Sequence, residues 1–349
     1  MSGVGGPASV AARAITQVEA IREAMLAEME RDERTMLLGE DVVGFGGIYG
    51  QYAGLRERFG AARVRDTPIS EAGFIGAAAG AAVAGMRPIA ELMIVDFFGV
   101  AMDQIANYVA KVHYSSAGTR RVPLTLITSA GNPLRQGATH GQTLHGMFAH
   151  IPGLKVALPA TSHDAKGMLI SAIRDDDPVL YMVHRALLGE SGLPGDPDDA
   201  LRNPAVAREP YEVEFGRAAV RRRGSDVTIV AFSLMTHTAV LAADVLAEEG
   251  IEAEVLDPRT LVPLDTDAIL ESVAKTGRLL VLDEDYRSFG ASGEIVARVV
   301  ESGAVALKAP PRRLARADRP IPYSRVLEAA SLPGPDAVAA AVRELVGAA

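Results

Sequence analysis

Two hydrophobic periods alternate along the chain. Val18, Ile21, Met25 and Met29 recur at helical spacing behind Thr16-Gln17-Val18-Glu19, a capping-box pattern, so a helix is predicted over 17–32. Short apolar runs at Thr35–Leu38, Pro88–Met93, Pro123–Thr128, Lys155–Leu158 and Val179–His184 read as strands, separated by helical patterns at Glu71–Gly85, Phe98–His113, His140–His150 and Ser162–Arg174. Residues 186–210 break this rhythm with four prolines and a cluster of acids, and read as a linker. A second run follows, with strands at Asp226–Phe232, Glu252–Leu256 and Arg278–Leu282 and helices at His237–Glu249, Thr266–Lys275, Gly293–Val300 and Asp336–Val346. Strands alternating with helices imply mostly parallel sheets covered on both faces. The expected class is α/β with two doubly wound domains: a disordered tail over 1–15, a first domain over 16–187, a linker over 188–211 and a second domain over 212–349. Ligands of such sheets sit beyond the carboxyl ends of the strands, which points to the loops after Leu38, Met93 and Thr128.

The stretch Asp66–Asp103 organises the first run. Asp66-Thr67-Pro68 reads as a turn, after which Ser70 can cap a helix beginning at Glu71. That helix is built from small residues, with glycine at 73, 76, 80 and 85, each costing roughly 1 kcal/mol against alanine. Close approach of another backbone is the expected compensation. Glu71 stands at the helix N-terminus, where the dipole favours a carboxylate. It is either an assistant to the cap or a catalytic carboxylate on a rigid buried helix, and local physics does not choose between them.

Composition narrows the classes. A length of 349 residues suggests two domains, and 48% apolar residues are ample for their cores. A net charge of -9 argues against a nucleic-acid or anionic-membrane binder, because phosphates demand a basic face. The absence of cysteine excludes disulfides, thiolate metal sites and a cysteine nucleophile, and fits a reducing, cytoplasmic setting. No apolar run approaches a membrane span, and the first residues lack the pattern of a secretory signal.

Other chemistry-bearing residues have bland readings beside sharp ones. Gly44–Gly50 mimics a dinucleotide loop, but its GxGxxG pattern fails at Tyr49, so it reads as a flexible loop. His140, His145 and His150 are five apart, a spacing that turns successive side chains by about 140° and denies them one helix face. His140 alone ends a glycine-rich loop beside an expected helix start; it is structural or catalytic. Asp283-Glu284-Asp285 reads as solvated loop charge and Arg221-Arg222-Arg223 as an exposed strand end or turn. Asp175-Asp176-Asp177 ends a helix against its dipole and calls for compensation by water, Arg174 or a cation.

Seven segments together resemble the beta subunit of thiamine-diphosphate-dependent 2-oxo acid dehydrogenases: GEDV (39–42), DTPISEAGFIGAAAG (66–80), RPIAELMIVDFFGVAMDQI (87–105), HIPGLKVALPAT (150–161), DAKGMLISAIRDDDPV (164–179), DPRTLVPLD (257–265) and RADRPIPYS (316–324). The resemblance spans almost the whole chain. It implies a pyrimidine-type domain followed by a transketolase C-terminal-like domain. It matches Glu71 to the glutamate that bonds a ring nitrogen of the cofactor's aminopyrimidine, and Ile69, Met93 and Phe97 to the lining of that pocket. It matches His140 to a histidine of acyl transfer to a lipoyl group, and Leu124, Ala172, Asp175 and Asp177 to positions that hold a monovalent cation such as K⁺, largely through main-chain carbonyls. No GDG motif occurs, so Mg²⁺ and the pyrophosphate would be held by a separate alpha subunit in an alpha2beta2 heterotetramer. Gly141 stands where many relatives carry serine, and Val100 where some carry a polar residue.

The activity so implied is oxidative decarboxylation of a 2-oxo acid, pyruvate first, with acyl transfer to the lipoyl group of an acyltransferase. Branched-chain 2-oxo acids and acetoin are rivals within the class. A non-catalytic α/β scaffold subunit and a transketolase-like half enzyme moving ketol units are rivals outside it.

Overall fold

The computed structural model describes residues 13–131, 136–188, 201 and 205–347. Its larger sheet has seven strands in the order Thr260–Val262, Lys155–Ala157, Val179–His184, Thr125–Ala130, Arg87–Ile94, Thr35–Gly39 and Val64–Asp66. All neighbours are parallel except the first pair, in which Thr260 lies opposite Ala157. Every residue of Thr125–Ala130 and Val179–His184 is buried, as expected of central parallel strands covered on both faces. One face carries the helices Gln17–Arg31 and Ser162–Arg174; the other carries Glu71–Val83 and the helical segment after Ile94. The capping box forms as expected, with Glu19 N–H donating to Thr16 Oγ1 at 3.2 Å and Thr16 N–H to Glu19 Oε2 at 2.8 Å.

The second sheet has five strands in the order Arg312–Arg316, Leu279–Tyr286, Val227–Ala231, Ala253–Asp257 and Ala219–Arg222, the last antiparallel. Leu234–Glu248 and Pro335–Gly347 cover one face, Thr266–Thr276 and Ala291–Glu301 the other. Among the described residues no helix is long and apolar enough to cross a membrane. The first twelve residues of the expected tail, and most of the proline-rich stretch, lie outside the described residues. Arg13–Ala14 pair antiparallel with Ala205–Val206.

Several expectations are corrected. The helix expected over Phe98–His113 starts earlier and is irregular: a 3₁₀ stretch Val95–Ala101, a π stretch Asp103–Val109, then an α-helical turn Val112–Ser115. The helix expected to open at His140 runs only over His145–Ala149. Gly44–Gly50 forms hydrogen-bonded turns, with Gly47 N–H donating to Asp41 and Tyr52 N–H to Gly46. The strand expected to stop at Leu282 continues to Tyr286, so Asp283, Glu284 and Asp285 are buried strand residues and not solvated loop charge. Arg221 lies on an edge strand, and its side chain is half-buried between the buried carboxylates of Asp164 and Asp257.

These charges form a polar seam between the halves. Asp164 of the first half accepts from Arg221, and its Oδ1 forms an ion pair with Arg259 Nη2 at 2.9 Å. His145 Nε2 lies 2.9 Å from Asp283 Oδ1, and its protonated form is held up to about 9: burial pulls it down, but Asp283 and its acidic neighbours prevail. His184 takes a hydrogen bond from Ala186 N–H on Nδ1, which leaves the ring proton on Nε2, 2.9 Å from Glu284. Glu284 also accepts from Arg316 at 3.1 Å, and these partners overcome its burial to hold it down to about 2. Beside the seam, one apolar cluster runs from Phe74 and Phe98 through Phe148 to Phe232, Val281 and Ile295.

Candidate active site

Glu71 begins its helix at the carboxyl ends of the first sheet's strands. Thr67 N–H donates to Gly39 at 2.9 Å, and the Asp66 carboxylate accepts from Val43 at 2.7 Å and Gly44 at 3.1 Å. These bonds fold the Thr67–Ser70 turn back over strand Thr35–Gly39. Ser70 occupies the cap position but makes no side-chain cap; its hydroxyl donates to Pro68 instead. Glu71 as a residue is 8% exposed, and no hydrogen bond reaches its carboxylate from the described residues. Its carboxylate is therefore open to an N–H from outside the chain, and such a bond would be charge-assisted.

A second carboxylate stands beside it. Burial, then the charges of Glu71 and Asp41, push Glu40 above its ordinary range, although Ser70 N–H donates to it. Its Oε1 is buried without a partner. A third, Glu91, faces inward from the next strand in register with Gly39 and accepts from Tyr52 OH. Burial pushes Glu91 up to about 8 against that hydrogen bond. Residue 39 must be glycine because a Cβ there would lie 2.6 Å from the Glu91 carbonyl.

The residues expected to line the pocket are differently placed. Phe97 is half-buried, and its ring meets the His140 imidazole edge-on at 5.2 Å and 89°. Met93 is half-buried on the strand leading to Phe97, its carbonyl accepting from Ser129 Oγ. Ile69 precedes Glu71 by two residues and is 82% exposed. His140 follows a 3₁₀ turn, and its Nδ1 lies 2.9 Å from Thr139 Oγ1.

The Asp175–Asp177 cluster lies at the opposite, amino-terminal end of the strands. Its compensation comes from the chain. Lys155 Nζ reaches both Asp175 carboxylate oxygens at 2.8 and 2.6 Å and Asp177 at 3.3 Å, Arg121 meets Asp177 at 2.9 Å, and Arg87 meets Asp176. Arg87 also donates to the carbonyls of Ile173, Arg174 and Asp175, while the Leu124 carbonyl accepts from Val179 N–H. Among the described residues, no group of three or more His, Asp or Glu could hold a metal ion.

Four residues that matter here escaped sequence reasoning. Asp96 accepts from Gln142 at 2.8 Å and ties the segment after Met93 to that after His140. Arg185 is 1% exposed and donates to the carbonyls of Gly131 and His140. His145 is the fourth, buried against Asp283. The one available signal was the apolar run LLVL leading into Asp283-Glu284-Asp285-Tyr286, which continues a strand as readily as it ends one.

The transketolase pyrimidine-binding domain matches residues 13–190, and the transketolase C-terminal domain matches 216–338. The beta subunit of acetoin:2,6-dichlorophenolindophenol oxidoreductase from Bacillus subtilis is 42% identical over 96% of this chain and 98% of its own length. The pyruvate dehydrogenase E1 component subunit beta of Rickettsia bellii is 42% identical, and the 2-oxoisovalerate dehydrogenase subunit beta of B. subtilis 40%, each over 95% of this chain and 98% of the relative. The chain belongs to the beta subunits of thiamine-diphosphate-dependent 2-oxo acid dehydrogenases. Its family fold extends further: an inactive beta4 tetramer of a split-gene transketolase superposes with a TM-score of 0.74 at 24% identity, covering 96% of this chain and 99% of that one. In this beta subunit, Glu71, Glu40 and the Phe97–His140 pair all lie in the pyrimidine-binding domain.

Proposed function

We propose that this beta subunit catalyses oxidative decarboxylation of pyruvate with acyl transfer to a lipoyl group, in an active site shared with an alpha subunit. The observation that carries the reading is Glu71: a largely buried residue at a helix N-terminus whose carboxylate is unpartnered among the described residues. It fits a ring nitrogen of the aminopyrimidine of thiamine diphosphate. Met93 and Phe97 would flank that ring, with Ile69 at the rim. When bound, the cofactor supplies a nucleophilic carbon and stabilises the electron pair left as CO₂ departs.

The chain's own contributions follow from its geometry. Glu71 accepts the ring N–H and fixes which nitrogen carries the proton. Beside it, burial and the charges of Glu71 and Asp41 raise Glu40 above the ordinary carboxylate range. Burial strengthens the Glu71 hydrogen bond through the low local dielectric. His140, on the edge of Phe97, is placed to exchange a proton during acyl transfer. Mg²⁺ and the pyrophosphate fall to the alpha subunit in this reading, because the sequence carries no GDG motif. The exposed Gly73, Ala77, Gly80 and Ala84 leave the outer face of the Glu71 helix open to a close-packed partner; within the chain nothing lies within 4 Å of a Cβ at Gly80. K⁺ at Leu124, Ala172, Asp175 and Asp177 is an accessory to the proposal, since Lys155, Arg87 and Arg121 already neutralise those acids. We place the domains at 16–187 and 212–349, joined by 188–211, and the protein in the cytoplasm.

Acetoin cleavage is the second reading, favoured by the 42% and 43% identity to two acetoin oxidoreductase beta subunits. The test combines the purified chain, alone and with its alpha subunit, with thiamine diphosphate and Mg²⁺, and offers pyruvate, acetoin and 2-oxoisovalerate in turn. Pyruvate turnover only in the mixture is expected, and Glu71→Gln should lower it at least about 100-fold while the assembly stays intact. Activity from the chain alone overturns the shared site; an unaffected Glu71→Gln assembly means a scaffold role.

A further inference from the structure

We propose that Arg185 is a positioning residue for His140, and that it serves the acyl-transfer half of the reaction. The inference rests on the functional reading above. Arg185 follows the central strand Val179–His184 and is 1% exposed. Its Nε donates to the Gly131 carbonyl at 2.7 Å, its Nη2 to the carbonyls of Gly131 and His140, and its Nη1 to Gln136 Oε1. One planar guanidinium thus holds Gly131 and His140, nine positions apart in the sequence, in one place.

The same short stretch is gripped from its other side. Gly131 N–H donates to the Gln142 carbonyl at 3.0 Å, and Gln142 donates to Asp96 through its amide side chain at 2.8 Å. Gly131 has φ +76°, and a Cβ there would fall 1.8 Å from His184 Nε2, so its position against the buried His184 is fixed. His140 therefore sits between an arginine bonded to its own carbonyl and a Gln142–Asp96 tether two residues on. With the backbone held from both sides, the imidazole keeps its place at the edge of Phe97 and remains free to exchange a proton. A hydrogen bond to a carbonyl does not carry that proton, so Arg185 acts through position alone.

The chemistry at stake is 2-oxo carboxylate anion + lipoyl disulfide + H⁺ → S-acyl-dihydrolipoyl + CO₂. Loss of CO₂ leaves an electron pair on the acyl carbon. That carbon bonds one lipoyl sulfur, the S–S bond breaks, and the other sulfur leaves with its electrons and takes up the proton. His140 delivers that proton. A dye that accepts electrons without an acyl group bypasses this step, which lets the two halves be measured separately.

The test uses the complete alpha–beta assembly with pyruvate. Arg185→Met should slow transfer to lipoamide about tenfold or more, since small misplacements of a catalytic group cost up to about 100-fold, while 2,6-dichlorophenolindophenol reduction falls by no more than about threefold. Arg185→Lys, which keeps a donor for one carbonyl, should recover part of the transfer rate. Combining Arg185→Met with His140→Ala should cost no more transfer than His140→Ala alone, because both changes remove one function. Equal losses in the two assays, or additive losses in the double variant, overturn the proposal. If Arg185→Met does not assemble, Arg185→Lys alone decides it by the same comparison of the two rates. Wild-type assembly that reduces the dye but never acylates lipoamide overturns the functional reading instead, before any variant is made.

Discussion

At the scale of single residues, this beta subunit spends its buried carboxylates unevenly. Glu71 is unpartnered among the described residues, Glu40 is raised by burial and by its acidic neighbours, and Glu91 is held neutral near physiological pH by burial. A carboxyl group whose folded-state value is raised, from 4.5 to about 8, contributes stability that is full below 4.5 and fades as pH rises through about 8. Glu91→Gln should therefore flatten the decline in stability between pH 5 and pH 9, by on the order of a few kcal/mol at the alkaline end, seen as a shallower fall in melting temperature. Melts of wild type and variant across that range, showing parallel slopes, would refute the assignment. The residue types and family spacing put Glu71 and His140 in view from sequence. They did not show Arg185, His145, Arg221 or Asp283, because whether a charge is buried against a distant partner is a property of tertiary contact. Asp283 and its partner His145 are 138 positions apart.

At the scale of elements, sequence reading did best where one period runs long. The helix Gln17–Arg31 came out with its cap, and the central strands within one or two residues. It did worst at edges and at irregular backbone. Ala219–Arg222 and Arg312–Arg316 are arginine-rich edge strands, which lack the alternation of a half-buried strand because charges there discourage edge-to-edge pairing. The segment after Ile94 changes helix type as it passes Phe97 and Phe98, and hydrophobic spacing does not encode that change. The small-residue helix was legible, but its compensation is one-sided. Phe74, Ile75, Ala78, Ala79 and Ala82 are buried against the sheet, while the glycine face meets little of this chain. Gly39 is a different case, being forced by the neighbouring strand. Gly39→Ala should destabilise the fold by about 1–3 kcal/mol, as overpacking does, and denaturant titration would read it directly. A change below about 0.5 kcal/mol would show that the two strands can separate there without loss.

At the scale of the whole molecule, the halves are joined by apolar contact and by paired polar and charged groups drawn from both. Asp164 with Arg221 and Arg259, His145 with Asp283, and His184 with Glu284 and Arg316 all close on each other across the junction. Removing one member of a buried pair strands the other, typically at about 3–5 kcal/mol, so the halves are committed to one relative placement. The strand Thr260–Val262 goes further, for it belongs by sequence to the second half and by hydrogen bonding to the first sheet. A fragment ending near residue 187 would expose the backbone of Lys155–Ala157 as an open template for strand addition. Expressed by itself, such a fragment should self-associate, and supplying residues 205–349 in trans should return it to a discrete species by light scattering. Recombination by fragment exchange between relatives would then have to carry Thr260–Val262 with the first half, making the boundary of inheritance differ from the boundary of the fold.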